Sequence, residues 1–292
     1  MNPEPSTAVI GGSGFYDLPG LTDLEELNVS TPFGAPSDAL RVGRLGGRRV
    51  VFLARHGRAH SLLPGEVNAR ANIYALKQVG VTHVVSVSAV GSLREAIAPG
   101  DAVLPHQFID RTEGRARSFF GQGVVAHIAF ADPICMRLSR LMETAARSQP
   151  GNVHAGGTYV CIEGPQFSTR AESELWRSWG AAVVGMTNLP EARLAREAEL
   201  CYATLALPSD YDCWRSSDEA VTAHEAFETL KRTVDKAKSI VAQALADIDP
   251  RQGCTCRTVL DAALVTPPAA FSPEARSRLA AIVARRLGAE SV

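Results

Sequence analysis

Four short segments carry the side chains that could do chemistry. Gly11-Gly12-Ser13-Gly14 presents successive backbone N–H groups and one hydroxyl, a set suited to an anion such as phosphate. It is neither a dinucleotide fingerprint nor a phosphate-binding P-loop, because the third glycine and the Gly-Lys-Ser/Thr ending are absent, and a ligand-free tight turn explains the segment equally well. Arg55-His56-Gly57-Arg58, with His60 close behind, adds a planar guanidinium fork that matches phosphate and an imidazole that switches between donor and acceptor. Read alone, the same segment is a solvated basic loop. Ser88-Ala89-Val90-Gly91-Ser92 offers small and hydroxyl residues. Ser209-Asp210-Tyr211-Asp212 sets two carboxylates one residue apart, an arrangement open to acid–base work, metal ligation or helix capping. Ser, His and Asp all occur, yet no Gly-Xaa-Ser-Xaa-Gly elbow does, which argues against a hydrolase triad.

These segments gain meaning from the elements around them. Thr7 to Ile10 reads as a buried strand leaving through the glycine turn, and Ala39 to Leu45 with Arg48 to Ala54 reads as a hairpin closed by Gly46-Gly47. Val67 to Val79 has apolar residues at helical spacing, and Thr82 to Val87 is a β-branched run. Helices are expected at Pro133 to Ala146, Arg170 to Trp179, Leu189 to Glu199 and Asp218 to Ile248, and strands at Gly157 to Ile162, Ala181 to Met186 and Cys201 to Leu207. The alternation specifies an α/β fold with one central, partly mixed sheet flanked by helices. All four segments then fall where strands end, the place where open α/β sheets bind ligands. Residues 1–249 form the expected domain; 250–292, with an irregular link over Pro250 to Pro273 and a last helix at Pro273 to Leu287, form an extension packed on it.

Composition narrows the partners. Among 292 residues, 30 Lys+Arg balance 31 Asp+Glu for a net charge of -1, so there is no basic footprint for nucleic acid or an anionic membrane. No apolar run approaches the roughly 18 residues of a membrane span, and Met1-Asn2-Pro3-Glu4-Pro5 does not read as a signal peptide, so a cytoplasmic location is expected. Six cysteines are too few for a disulfide scaffold. Cys254-Thr255-Cys256 could be free thiols, a strained disulfide or metal ligands; free thiols fit a reducing compartment, and zinc is the weakest reading because no second Cys or His pair lies nearby in sequence. No metal and no cofactor are expected.

Taken in chain order, the segments resemble the purine nucleoside phosphorylases of the trimeric class. The resemblance rests on Ile10-Gly11-Gly12-Ser13-Gly14, Thr31-Pro32-Phe33-Gly34 with Pro36-Ser37-Asp38, Leu53-Ala54-Arg55-His56-Gly57-Arg58 and Gly91-Ser92-Leu93-Arg94. It continues through Gln107-Phe108-Ile109-Asp110-Arg111-Thr112, Glu163-Gly164-Pro165-Gln166-Phe167-Ser168 with Arg170-Ala171-Glu172-Ser173, Met186-Thr187 and Asp210-Tyr211-Asp212-Cys213-Trp214. It implies that phosphate cleaves a nucleoside's glycosidic bond; for 5′-methylthioadenosine, adenine and 5-methylthioribose 1-phosphate would leave. Phosphate would be a co-substrate, not a cofactor.

By the same resemblance Ser13, Arg55, His56, Ser88, Ala89 and Thr187 line the phosphate. Phe167 and Met186 wall the base and ribose, Ser168 is a polar contact beside the base, and Asp210 and Asp212 meet the purine edge, with Asp210 catalytic if burial keeps it protonated near neutral pH. An aspartate there favours a 6-amino purine, whereas relatives acting on 6-oxopurines carry Asn, so inosine, guanosine and methylthioinosine are the second choice. The 5′ pocket is expected near Val221, Ala223, Ala226 and Phe227, although helical packing against the core explains these residues as well. His60 would reach a neighbouring subunit's site in a homotrimer, or a hexamer. A nucleosidase or a nucleoside sensor would not need the full phosphate shell. The Cys-Thr-Cys pair resembles one that is oxidised in some heat-stable archaeal relatives, and residues 113–126 depart from the family pattern.

Overall fold

β-Branched and apolar runs with no helix-period gaps become buried parallel strands. A computed structural model describes residues 4–215 and 223–288, with side chains left aside at 13 and 223–232. The chain opens with β1 (Ser6–Gly11), followed by β2 (Leu21–Leu27), β3 (Leu40–Leu45), β4 (Arg48–Ala54), α1 (Ala69–Gln78) and β5 (Val81–Ser92). β6 (Ala102–Leu104), β7 (Gln107–Arg111), α2 (Met136–Arg147), β8 (Val153–Ala155) and β9 (Thr158–Ile162) follow. Next come α3 (Arg170–Ser178), β10 (Val183–Gly185), α4 (Asn188–Glu197), β11 (Cys201–Asp210) and α5 (Ala223–Asp247). The C-terminal segment holds α6 (Leu260–Ala263), α7 (Pro273–Arg278) and α8 (Ala280–Leu287).

The strands form one mixed sheet in the order β2-β3-β4-β1-β5-β10-β9-β7, with β11 beside β5 and β6, and β6 beside β8. β4, β1, β5 and β11 run parallel, so Arg55, Gly12, the far half of β5 and Asp210 all lie toward the same ends. The β3–β4 hairpin forms as expected, since Gly46 and Gly47 take φ 57° and 78°, the left-handed pair that a two-residue turn requires.

Two strands outrun the sequence reading. β5 continues past Val87 through Ser92: β1 stops pairing at Ser86, but β11 keeps its other edge bonded as far as Gly91. Ser88 to Ser92 is therefore strand rather than loop. β11 likewise reaches Asp210, across a register shift at Pro208, which has no N–H for the ladder. The expected helix at Leu189 to Glu199 starts at Asn188, and Leu189 itself is non-helical (φ -122°, ψ 136°). The expected last helix breaks at Leu279 into α7 and α8. β2 and the short β6, β7 and β8 were not expected.

α2 and α5 pack on β11, while α1 packs on α4 and α8. Leu260, Phe271, Leu279, Ile282 and Val283 join the same apolar core as β1, β5 and β11. The C-terminal segment is also held by charge. Glu199 is buried at positive φ, accepts the Leu260 N–H at 3.1 Å, and receives Arg285 Nε at 2.9 Å and Nη2 at 2.6 Å. Removing Arg285 strands a buried carboxylate, moderated by the partial exposure of the arginine itself. Arg285→Ala is expected to destabilise the fold by about 2 kcal/mol, read as a lowered denaturant midpoint at unchanged slope.

Candidate active site

Arg55 leaves the end of β4 and turns beneath the sheet ends, 3% exposed. Its Nε donates to Glu191 Oε2 at 2.8 Å, Nη2 to Glu191 Oε1 at 3.1 Å and Ser86 Oγ at 2.7 Å, and Nη1 to the Val87 carbonyl at 2.9 Å. Burial opposes the charge on Arg55, and the Glu191 carboxylate more than compensates, holding the guanidinium above its ordinary range. One Nη1 hydrogen remains for a ligand. Arg55, Thr187 and Glu191 share the lining of a small cavity with Arg115 and Pro190.

Glu191 passes the network onward. Tyr202 Oη donates to Glu191 Oε1 at 2.8 Å, and Asn188 Nδ2 donates to Tyr202 Oη at 2.8 Å and to Thr204 Oγ1. Asn188 Oδ1 then accepts both Ser88 Oγ at 3.1 Å and Thr187 Oγ1 at 3.5 Å. The structure thus brings Ser88 and Thr187 together across one amide, from β5 and from the residue that caps α4. Gly185 makes this approach possible: a Cβ there would stand 2.1 Å from Tyr159 Oη, which accepts the Thr187 N–H at 3.5 Å.

His56 donates from Nδ1 to the Leu62 carbonyl at 2.9 Å, so Nε2 carries the lone pair. Burial, then the neighbouring Arg55 charge, push its pKa down to about 4, and it is neutral near pH 7. His60 is exposed and stacks on the His56 ring at 4.8 Å. A Cβ placed on Gly12 or Gly14 would meet nothing within 4 Å, so this turn borders open space. Ser13's side chain lies outside the described residues. Ala89 is exposed on β5.

The acids sit where β11 crosses the end of β5. Asp210 pairs with Gly91 in the ladder, and a Cβ on Gly91 would lie 3.1 Å from Asp210 Oδ1 and 3.2 Å from Asp212 Cβ. Asp210 accepts Ser209 Oγ at 2.6 Å and the Asp212 N–H at 2.7 Å. Burial raises its pKa despite these donors. Asp212 is buried at φ 54°, and its Oδ2 has no hydrogen-bond partner among the described residues. Desolvation pushes its carboxyl up to about 6 against the opposing pull of the nearby buried Ser173 hydroxyl, and Asp210's charge adds to the rise.

Ser168 approaches this end of the site, because Cys213 Sγ donates to the Ser168 carbonyl at 3.2 Å while Trp176 Nε1 donates to Ser168 Oγ at 3.3 Å. Met186 is half-buried against Gly164. Phe167 is 48% exposed on the same loop. Val221 lies outside the described residues, as do the side chains of Ala223, Ala226 and Phe227.

Sequence reasoning missed the residues that hold these groups. Glu191, Asn188 and Tyr202 looked like ordinary helix and strand positions. Arg115 was set aside with its divergent loop, yet its Nε meets both Glu163 oxygens at 3.1 Å, Nη1 donates to the Met186 and Leu189 carbonyls at 2.7 and 2.9 Å, and Nη2 donates to the Glu163 carbonyl at 2.6 Å.

The buried acid makes stability depend on pH. The folded chain holds the Asp212 proton more tightly than the unfolded chain does, so this contribution is complete below about pH 4 and is lost as pH rises through about 6. Between pH 4 and 7, Asp212→Asn should gain on the order of 2 kcal/mol relative to the parent, measured by urea unfolding of both proteins at each pH.

Comparison with known proteins gives the family. Residues 6–246 match the family model described as the Phosphorylase superfamily. The chain is 54% identical over 281 residues to the S-methyl-5'-thioadenosine phosphorylase of Geobacter sulfurreducens, covering 96% of this chain and 98% of the relative. It is 52% identical over 278 residues to the protein of the same name from Chloroflexus aurantiacus, covering 95% and 96%. A crystal structure of a methylthioadenosine phosphorylase sourced from an antarctic soil metagenomic library superposes with a TM-score of 0.92 at 49% identity, over 97% of this chain and 99% of the other. The methylthioadenosine phosphorylase from Schistosoma mansoni in complex with adenine gives 0.83 at 36%, over 89% and 99%. With strand ends, hydroxyls and acids arranged on a fold shared along nearly its whole length, this chain belongs to the phosphorylase superfamily.

Proposed function

We propose that this protein is a pentosyltransferase that cleaves 5′-methylthioadenosine with inorganic phosphate, releasing adenine and 5-methylthioribose 1-phosphate for purine and methionine salvage. The observation that carries the adenine side is Asp212 Oδ2, a buried acceptor with no partner among the described residues. A 6-amino purine supplies the missing donor there, and a 6-oxo purine would set oxygen against oxygen. The relatives' names support the same substrate.

In this reading phosphate binds against Arg55, His56, Ser13, Ser88, Thr187 and the backbone at Ala89. Arg55 supplies fixed charge and its remaining Nη1 hydrogen. Neutral His56 has an acceptor at Nε2, which suits a phosphate oxygen still carrying a proton. The sugar and base lie against Phe167, Ser168 and Met186. As the glycosidic bond stretches, the ribose gains oxocarbenium character and the purine gains negative charge. Asp210, whose pKa burial raises, donates to N7 while phosphate closes on C1′ from the opposite face. His60 completes a neighbouring subunit's site in a homotrimer, or a hexamer of two, and the exposed Leu175 and Trp179 on and beside α3 suit such contacts. The chemistry calls for no cofactor, and sparse cysteines fit a reducing cytoplasm.

Purified protein incubated with methylthioadenosine should release adenine only when phosphate is present, and faster than from adenosine, inosine or methylthioinosine. Release without phosphate would make it a nucleosidase, and preference for 6-oxopurines would overturn the role given to Asp212. Asp210→Asn keeps the shape but not the proton, and is expected to lower kcat by about 10²-fold or more, with a smaller change in KM.

A further inference from the structure

The sequence reading left Cys254-Thr255-Cys256 without further ligands, and the fold supplies them. Cys135 stands at the start of α2, Cys201 opens β11, and Cys254 caps the short turn Thr255–Thr258 that contains Cys256. Their four Sγ atoms all lie within 4.8 Å of one another, and three of the residues are buried. The cluster is built from fixed parts. The Cys135 N–H donates to the Tyr202 carbonyl at 2.8 Å, locking the start of α2 to β11, and the Arg257 N–H donates to the Cys254 carbonyl at 2.9 Å.

We propose that Cys135, Cys201, Cys254 and Cys256 bind one zinc ion as a tetrahedral thiolate site that fastens the C-terminal segment to the body of the protein. Four sulfurs about 2.3 Å from a central zinc stand about 3.8 Å from each other. Cys135 Sγ and Cys254 Sγ are already 3.7 Å apart, and the widest separation needs to contract by no more than about one ångström. Pairing the four as two disulfides would have to close two such gaps to about 2.05 Å, a larger contraction than one zinc ion requires. An iron–sulfur cluster is too broad for sulfurs this close.

The surroundings suit a thiolate set. Arg196 Nη1 donates to Cys256 Sγ at 3.6 Å, placing a guanidinium beside a site whose zinc and four thiolates sum to a net negative charge. Cys135 is the N-cap residue of the twelve-residue α2, whose N-terminal dipole favours a thiolate. Cys254 is only half-buried and gives the ion a way in. Cys201 and Asp210 are opposite ends of β11, about 30 Å apart at strand rise, so the ion takes no part in phosphorolysis.

Elemental analysis of the full-length protein, purified without chelators, should find about one zinc per chain. Cobalt supplied to stripped protein should give the intense visible bands of a tetrahedral thiolate ion, and thiol titration of the folded holoprotein should reach Cys213 but not the four cluster cysteines until zinc is chelated. Cys254→Ser, at the most accessible ligand, should lose the zinc and lower Tm while adenine release at 25 °C stays within about twofold. Because the cobalt spectrum is read on the parent chain, failure of a variant to fold leaves the test intact. Metal-free protein that takes up no cobalt overturns the proposal, whether its intact mass shows cysteines paired as disulfides or its thiols are free.

Discussion

A positive charge in the core is the constraint around which the rest is arranged. Arg55 lies beneath the sheet with almost no solvent, and an unpaired guanidinium there would be prohibitively unfavourable. Glu191 neutralises it through two hydrogen bonds. The pair then requires that α4 stand over the ends of β4 and β5, because only that placement brings Glu191 to Arg55. Its remaining acceptor capacity is met by Ser86 and Tyr202, and Tyr202 in turn fixes Asn188. Ser88 and Thr187 are the outermost members of this chain of bonds, so their hydroxyls inherit positions set in the core. A buried ion pair adds little net stability over apolar packing. Its value here is geometric: it holds α4 against the ends of β4 and β5.

The acidic end follows from a different constraint, the ladder between β5 and β11. Pro208 cannot donate, the register shifts, and the chain beyond it places Asp210 opposite Gly91. Asp212 then takes a left-handed turn that buries its carboxylate a short distance away. Burial acts in the same direction on both acids, raising their pKa values against the Ser209 hydroxyl and the Asp212 N–H at Asp210 and against the Ser173 hydroxyl at Asp212. Backbone geometry thus sets two acids side by side in a buried corner, where both hold their protons more tightly than they would in water.

Much of this was legible before any coordinates. Gly46-Gly47 specified the hairpin because two consecutive residues need positive φ there, and the β-branched runs specified β1, β4 and the start of β5 because such runs pack on a pleated surface. Arg55, His56, Ser88, Asp210 and Asp212 stood out by residue type, and Thr187 entered only with the family resemblance. What did not show was partnership. Glu191 and Asn188 occupy helix positions whose meaning depends on strands a hundred or more residues away, and no periodicity reports that. β2 was missed because Leu21, Leu24 and Leu27 recur every third residue on a mostly exposed edge. Ser88 to Ser92 read as loop because Ser, Ala and Gly are weak strand formers; continued pairing with β11 overrides that preference. The cysteines were counted by local spacing, and the sheet brings 135, 201, 254 and 256 together regardless of it.

β11 joins these levels. Its first residue belongs to the thiol cluster, its second and fourth to the network under the phosphate side, and its last to the purine side. A strand of ten residues buried almost throughout is stiff along its axis, so the Tyr202, Thr204 and Asp210 side chains keep fixed spacings whatever the loops do. A loop such as that of Arg115 then only has to meet fixed carbonyls and acids. Fastening the C-terminal segment at the Cys201 end stabilises the strand without touching the chemistry at the Asp210 end. Separating the two by the length of the strand lets stability and turnover be adjusted by different residues, which a site built from contiguous loops would not permit.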